Sequence, residues 1–253
     1  MSTNAYRAEL LSEPVRSPRT GLDPGTEGTH QSHERANRSG GSGPAAGELM
    51  RLFVAIAPPP AVLDELDALV EPLRSRRQDL RWTNREAWHV TLAFLGQVDE
   101  PTVAKLLPRL ERAAGRHGTI ALAFAGAGAF PAVSRANVLW SGLSGDRGPL
   151  ARLAESVAAG ASRVGTPPPD KGRRFQPHLT LARCRMPADV TELVAALDGY
   201  QGKPWTADRV HLVRSRLGAT DQPRYVSLAS WPLRARTATP IPRPEDRDTD
   251  PVS

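Results

Sequence analysis

The 253-residue chain carries 33 Lys and Arg against 27 Asp and Glu, a formal net charge of +6, and one cysteine, Cys184. A single cysteine excludes an internal disulfide and a Cys-rich metal site. No apolar run approaches the length of a transmembrane helix and the N-terminus lacks a secretion signal, so we expect a cytoplasmic protein without membrane attachment. Arginine makes up 30 of the 33 basic residues, a composition that is compatible with an anionic partner.

Two stretches have the composition of disordered tails. Residues 1–48 are rich in Ser, Gly, Pro and Thr, and residues 235–253 are rich in Pro, Thr, Arg and Asp. Neither stretch can bury enough apolar surface to offset the entropy lost on ordering. We therefore predict one folded domain over residues 49–234, flanked by disordered tails.

Strands and amphipathic helices alternate within this domain, as the spacing of apolar residues indicates. The first half is predicted to contain a strand at Arg51–Ala57, a helix opening at Pro58-Pro59-Pro60, a strand at Trp88–Leu95, a helix starting at Asp99 and Pro101, and strands at Ile120–Phe124 and Ala136–Gly142 separated by a Gly-rich loop. The second half is predicted to contain a helix at 148–164, a polar loop at Thr166–Arg174, a strand at Phe175–Arg183, a helix at Val190–Leu197, and strands at Asp208–Ser215 and Tyr225–Trp231. Several neighbouring strands are joined by loops too short for a helix, which favours an α+β fold with mostly antiparallel sheets.

One short pattern occurs twice, as His89-Val90-Thr91-Leu92-Ala93 and as His178-Leu179-Thr180-Leu181-Ala182. In a strand, residues two apart point to the same face, so each copy presents an imidazole beside a hydroxyl. One copy alone is equally well explained by a half-buried histidine bonded to its neighbouring threonine. The repeat instead indicates two related lobes that contribute one motif each to a shared cleft. Two histidines facing one cleft can hold a phosphate between them and act as a general acid and a general base.

The motifs and their surroundings resemble the two-histidine (2H) phosphoesterase superfamily, and within it the bacterial RNA 2′,3′-cyclic phosphodiesterases of the 2′-5′ RNA ligase family. The resemblance runs through Arg51-Leu52-Phe53-Val54-Ala55-Ile56, His89–Gly96, Gly128-Ala129-Phe130-Pro131, Val138-Leu139-Trp140, Pro177–Arg183, Arg214-Ser215-Arg216-Leu217 and Tyr225. It begins at Met50, where such proteins commonly begin, so we expect translation to start there; peptides from residues 1–49 in the native protein would rule this out.

The resemblance implies a bilobal, pseudo-twofold α+β fold with two mostly antiparallel sheets around a central cleft, and it implies no metal or other cofactor. It makes His89 the proton donor and His178 the proton acceptor. Thr91 and Thr180 would bind the phosphate. Arg183 would help to neutralise it, although strict alternation places Arg183 on the opposite face from His178, so this role requires a β-bulge or a long reach.

The implied reaction is hydrolysis of RNA 2′,3′-cyclic phosphate ends to 2′-phosphates, with weak 2′-5′ ligation in reverse. The implied partner is RNA with such ends, of which tRNA fragments are one candidate. A monomer is expected because the pseudo-twofold already lies within one chain.

Three other interpretations stay open at this stage. The first is a non-catalytic nucleotide- or RNA-binding module. The second is a metallohydrolase with His89 and His178 as ligands. The third is a phosphodiesterase acting on small cyclic nucleotides or ADP-ribose cyclic phosphate. The metal interpretation lacks a third ligand at a suitable spacing. A turnover assay separates the binding module from the enzymes, and activity in EDTA excludes the metallohydrolase.

Overall fold

The computed structural model describes residues 48–166, 175–217 and 223–235. Within them the helices are α1 (Pro60–Arg76), α2 (Glu100–Ala114), α3 (Arg147–Ser162) and α4 (Thr191–Leu197). The strands are β1 (Met50–Ile56), β2 (Leu80–Trp82), β3 (Val90–Val98), β4 (Ile120–Phe130), β5 (Ala136–Gly145), β6 (His178–Ala188), β7 (Trp205–Ala207), β8 (Arg209–Leu217) and β9 (Pro223–Pro232). The predicted tails, apart from Glu48 and Ala235, and most of the predicted polar loop lie outside the described residues, so the tails stay a prediction.

The described strands form one sheet in the order β7-β4-β5-β6-β3-β1-β8-β9, and β2 pairs with β6. All strand pairs are antiparallel. The order is symmetric about the β3–β6 junction, because each half contributes four strands with its motif strand innermost. The predicted α+β class is confirmed, with one difference: the two expected sheets are joined by a single pair of residues, Val90 and Leu179.

The helices follow from apolar stripes and from their caps. Helix α1 buries Val62, Leu63, Leu66, Val70 and Leu73, which recur at helical spacing. Helix α2 begins where predicted, because the Asp99 carboxylate accepts a hydrogen bond from the Thr102 backbone N–H at 2.9 Å. Helix α3 packs against β3 and β4, and α2 packs against α3. None of the helices in the described part of the chain is long and apolar enough to cross a membrane.

The Gly-rich segment after Phe124 is a strand, and the prediction of a loop there was wrong. Strand β4 runs to Phe130 and pairs with β5 along its whole length, with an irregularity between Phe124 and Ala127. Glycine fits this strand because the indole of Trp140 lies over Gly128, and a Cβ there would meet that ring at 2.2 Å. Glycine inside a strand marks such a close approach. The short strands β2 and β7 were not predicted, since three residues carry too little alternation to be recognised.

Candidate active site

The two motifs meet where β3 and β6 pair. Val90 lies opposite Leu179 in an antiparallel bridge. The flanking residues therefore face each other crosswise, with His89 against Thr180 and Thr91 against His178. All four side chains point to the face opposite the buried Val90 and Leu179. Diagonal residues in an antiparallel pair are typically about 7–8 Å apart, a spacing that one phosphate group can bridge.

Both imidazoles are held in the same way by the backbone. His89 Nδ1 lies 2.7 Å from the carbonyl oxygen of Ala87, and His178 Nδ1 lies 2.8 Å from that of Gln176. A carbonyl oxygen only accepts, so Nδ1 of each ring carries the proton and donates it. Each Nε2 is thereby left for a ligand, as an acceptor when the ring is neutral and as a donor when it is protonated. The same ring can serve as base or acid.

Aromatic side chains fix the orientation of each histidine ring. Phe53 lies 4.7 Å from the His89 ring, and Tyr225 meets it edge-on at 5.1 Å. On the other side, Phe130 meets the His178 ring edge-on at 5.0 Å, and the Trp140 ring lies 6.1 Å away. The rings exclude water from one side of each imidazole, which holds the imidazoles in place and lowers the polarity around them.

This burial sets the protonation of the two histidines. The pKa of His89 is lowered to about 4, mainly by desolvation and also by the positive charges of His178 and Arg183. Desolvation also lowers the pKa of His178, again helped by Arg183. The hydrogen bond from each ring to a backbone carbonyl partly offsets this effect, because it raises the pKa of the histidine. The lowered pKa values favour the neutral form of both imidazoles at pH 7 in the unliganded protein. The charge of His178 acts on the pKa of His89, which indicates that the two titrations are coupled.

A β-bulge brings Arg183 to the histidine face. In the β5–β6 ladder, Trp140 pairs with Thr180 but Leu139 pairs with Ala182, which leaves Leu181 as an extra residue. Leu181 and Ala182 are both buried, so the alternation shifts by one and Arg183 points the same way as Thr180. The bulge that its predicted role requires is present. Burial raises the pKa of Tyr225, which lies in the other half beside His89, and the positive charge of Arg183 partly opposes that rise.

The first motif has the same bulge, and it exposes Phe94. Val54 pairs with Ala93 and Ala55 with Thr91, so Leu92 is the extra residue of β3. Phe94 then occupies the position that Arg183 holds in the second motif, and its ring is 63% exposed. It lies 6.3 Å from the Phe53 ring. Phe94 was not among the predicted site residues. Aligning the two motif copies and extending each by one residue, to Phe94 and Arg183, would have found it.

Three donors at this face are available to a ligand. Within the described residues, the hydroxyls of Thr91 and Thr180 and the guanidinium of Arg183 form no hydrogen bond or ion pair with the protein. Together with the two Nε2 atoms they make a site that suits an anion with several oxygens. No three His, Cys, Asp or Glu side chains in the described ranges come together in a way that could hold a metal ion.

Comparison with known proteins places this site in a family. Residues 58–219 match the model of the 2′-5′ RNA ligase superfamily. An RNA 2′,3′-cyclic phosphodiesterase of Aeropyrum pernix is 36% identical over 112 residues, which are 44% of this chain and 61% of that protein. A protein of the same name from Thermotoga maritima is 30% identical over 172 residues, 68% of this chain and 89% of that protein. The crystal structure of E. coli LigT in apo form matches with a TM-score of 0.58 and 25% identity, over 74% of this chain and 99% of LigT.

The antiparallel fold with one His-x-Thr motif in each half, together with these likenesses, defines a 2H phosphoesterase. The matched range includes both motifs and Arg183. The chain belongs to the 2′-5′ RNA ligase superfamily, and the resemblance drawn from the sequence is confirmed.

Proposed function

We propose that this protein hydrolyses the 2′,3′-cyclic phosphate ends of RNA to 2′-phosphates by two-histidine acid–base catalysis. One observation carries the proposal: two backbone-anchored histidines and two unpartnered threonines alternate around one small area of the sheet. The names of relatives from Aeropyrum and Thermotoga support the substrate class. The site's surplus of donors and its positive charge from Arg183 suit a phosphodiester anion.

The reaction consumes one water molecule. His178 Nε2 accepts a proton from water as the water oxygen attacks phosphorus, and the bond from phosphorus to the 3′-oxygen breaks. His89, protonated at Nε2, donates that proton to the departing 3′-oxygen, which leaves a 2′-phosphomonoester and a 3′-hydroxyl. The bound anion favours the imidazolium form that His89 needs, because opposite charges raise the pKa of a histidine. Thr91, Thr180 and Arg183 donate to the phosphoryl oxygens where negative charge grows.

A 5′-hydroxyl can take the place of water and join the 2′,3′-cyclic end through a 2′-5′ bond. His178 then accepts the proton of that hydroxyl as its oxygen attacks phosphorus, the bond from phosphorus to the 3′-oxygen breaks, and His89 donates a proton to the 3′-oxygen. Water is present in great excess over RNA ends, so hydrolysis dominates. We therefore treat ligation as a weak side reaction.

The proposal is tested with a short RNA that ends in a 2′,3′-cyclic phosphate, incubated with the purified protein in EDTA. We expect the RNA to gain one water and to co-migrate with a synthetic 2′-phosphate standard and not with the 3′-phosphate. A 2′,3′-cyclic mononucleotide and ADP-ribose cyclic phosphate serve as parallel substrates. The assay is repeated without EDTA. Absence of turnover on all three substrates under both conditions would leave a binding module, and activity that appears only without EDTA would indicate a metallohydrolase.

The exposed ring of Phe94 supplies a surface on which the terminal base can stack. Stacking of a base on an aromatic side chain contributes about 1–3 kcal/mol, so Phe94→Ala should raise KM for the cyclic-ended RNA by about 5- to 150-fold while kcat changes little. Phe94→Tyr should restore the wild-type KM because it keeps the ring. Met186→Ala is the matched control, since Met186 is an exposed apolar residue on β6. Equal KM values for wild type and Phe94→Ala would remove Phe94 from the substrate site.

A further inference from the structure

We propose that a cleft between helices α2 and α3 binds the phosphate backbone of RNA, separately from the histidine site. The cleft has a volume of about 450 Å³ and is bordered by Arg109, Arg112 and Arg116 on one side and by Arg163 on the other; we call it the arginine cleft. Arg109 and Arg112 lie three residues apart on one face of α2. Arg116 follows in the turn after the helix ends at Ala114. Arg163 directly follows Ser162, the last residue of α3.

The charges of the arginine cleft are not neutralised by the protein. Within the described residues, none of its four guanidinium groups takes part in an ion pair or a side-chain hydrogen bond. By contrast, Arg74 in the last turn of α1 contacts Asp67 at 2.8 Å and Glu71 at 3.0 Å. Like charges at helical spacing destabilise a helix. An anion bound between these arginines would reduce their repulsion and stabilise the helix. Arginine forks bind phosphate oxygens in pairs.

The lining of the cleft favours a nucleic-acid backbone over a protein surface. Between the arginines, the described lining residues are Ala113, Ser156, Ala159 and Gly160. Gly160 is buried, and a Cβ there would lie 3.7 Å from the Cβ of Arg109, so the helices approach closely and the floor is made of small residues. Protein interfaces are usually anchored by aromatic or large apolar side chains, and the lining given above has none. It also lacks a ring for base stacking, so the contact is to phosphates and independent of base sequence.

The cleft is open to a chain and not only to a small ion. A second depression continues from Arg112 and Arg116 to Arg234, with Glu111 as its one carboxylate. At the other side, the Ser156 hydroxyl lies 2.8 Å from His117 Nε2 and adds a polar group to the wall. A row of five arginines along these two depressions suits phosphates that are repeated along a strand.

The arginine cleft lies apart from the catalytic groove. Helix α3 packs against β3, on the side to which the buried Val90 and Leu92 point. His89 and Thr91 point to the other face of the same strand. The inference therefore goes beyond the proposed hydrolysis, because it concerns contacts with RNA away from the reacting end.

The test measures binding of a fluorescently labelled single-stranded RNA with an ordinary 3′-hydroxyl, by anisotropy over a range of salt concentrations. Because this RNA lacks a cyclic phosphate, the result does not depend on turnover. The double variant Arg112→Ala and Arg116→Ala should weaken binding at least tenfold. Its slope of log K against log salt should be smaller by about 1.4, since each phosphate contact on a single strand contributes about 0.7. The double variant Arg76→Ala and Arg147→Ala removes two exposed arginines outside the cleft and should bind as the wild type does.

Each remaining outcome overturns the proposal. If the cleft variant, shown to be folded by its thermal melt, binds RNA as the wild type does, the arginines are a solvated basic surface. If polyglutamate displaces the RNA as well as unlabelled RNA does, the cleft is a site for an acidic protein. If inorganic tripolyphosphate displaces it at the same concentration of phosphate groups, the ligand is a small polyphosphate.

Discussion

His89→Ala and His178→Ala are each expected to lower the turnover of cyclic-ended RNA by about 10²–10⁴, the range for loss of a general acid or base. Each imidazole is anchored through Nδ1 so that Nε2 faces the shared site, and no neighbouring group can replace it. The measurement is kcat for release of the 2′-phosphate product under saturating substrate. The kcat of the double variant should be only slightly below that of the less active single variant, because the two rings act in one proton-transfer scheme.

The control for these variants is His211→Ala. His211 lies on β8, its Nδ1 is 3.3 Å from the Ser227 hydroxyl, and its charge does not act on either motif histidine. His211→Ala removes a half-buried imidazole that has no hydrogen bond or ring contact with the motif histidines or threonines, so kcat should stay close to that of the wild type. Retention of activity by both motif variants would refute the acid–base assignment. A loss of equal size in His211→Ala would point to a general effect on folding.

The burial of His89 opposes the role that the resemblance implies for it. His89 is the expected acid, yet its pKa is lowered to about 4 in the unliganded protein, mainly by desolvation, so the ring is neutral until an anion binds. A substrate with a leaving group that needs no protonation, such as a nitrophenyl phosphodiester, distinguishes the two assignments. With that substrate, alanine in place of the acid should cost little, while alanine in place of the base should keep its full effect. Rescue of His178→Ala instead of His89→Ala would reverse the roles.

The convergence of the motifs could be predicted because the sequence repeats itself. A histidine and a threonine two residues apart in a strand must share a face, and two copies in related halves are most simply placed in one cleft. The structure adds that the copies are cross-strand neighbours through Val90 and Leu179. That contact joins residues from two distant parts of the chain, and the local pattern does not encode which strands become adjacent.

The bulges were harder to predict for a physical reason. An extra residue such as Leu92 or Leu181 changes which face the next side chains occupy, yet two buried residues in a row also occur in ordinary buried strands. The sequence showed that Arg183 needed a bulge in order to act, but it did not show that one was present. The same ambiguity hid Phe94, which reads as a core residue under strict alternation and is exposed in the structure.

The Gly-rich segment of β4 illustrates the opposite problem. Alanine and glycine have low strand propensity, so Ala125–Ala129 reads as a loop. The strand forms there because β5 pairs with it and because the Trp140 indole needs the space above Gly128. Tertiary packing overrides local propensity at this point, and the same packing places Trp140 beside His178.

Arg183→Ala is expected to lower kcat by about 10²–10³, as for the loss of a donor to a developing negative charge, and also to shift the pH dependence. The positive charge of Arg183 lowers the pKa of both histidines. Without it, both imidazoles hold their protons to a higher pH. The acidic limb of the pH–rate profile reports deprotonation of the base and the basic limb deprotonation of the acid, so both limbs should move to higher pH.

The effect of the positive charge of Arg183 can be distinguished from the effect of its planar guanidinium group. Arg183→Lys keeps a positive charge near the rings, so its pH profile should stay close to that of the wild type while kcat falls, because an ammonium cannot bind two phosphate oxygens in the same plane. Arg76→Ala removes an exposed arginine in the last turn of α1 and should leave kcat and the profile unchanged. If Arg183→Ala keeps the wild-type kcat, its guanidinium does not contact the phosphate, and the bulge at Leu181 serves only to pack the sheet.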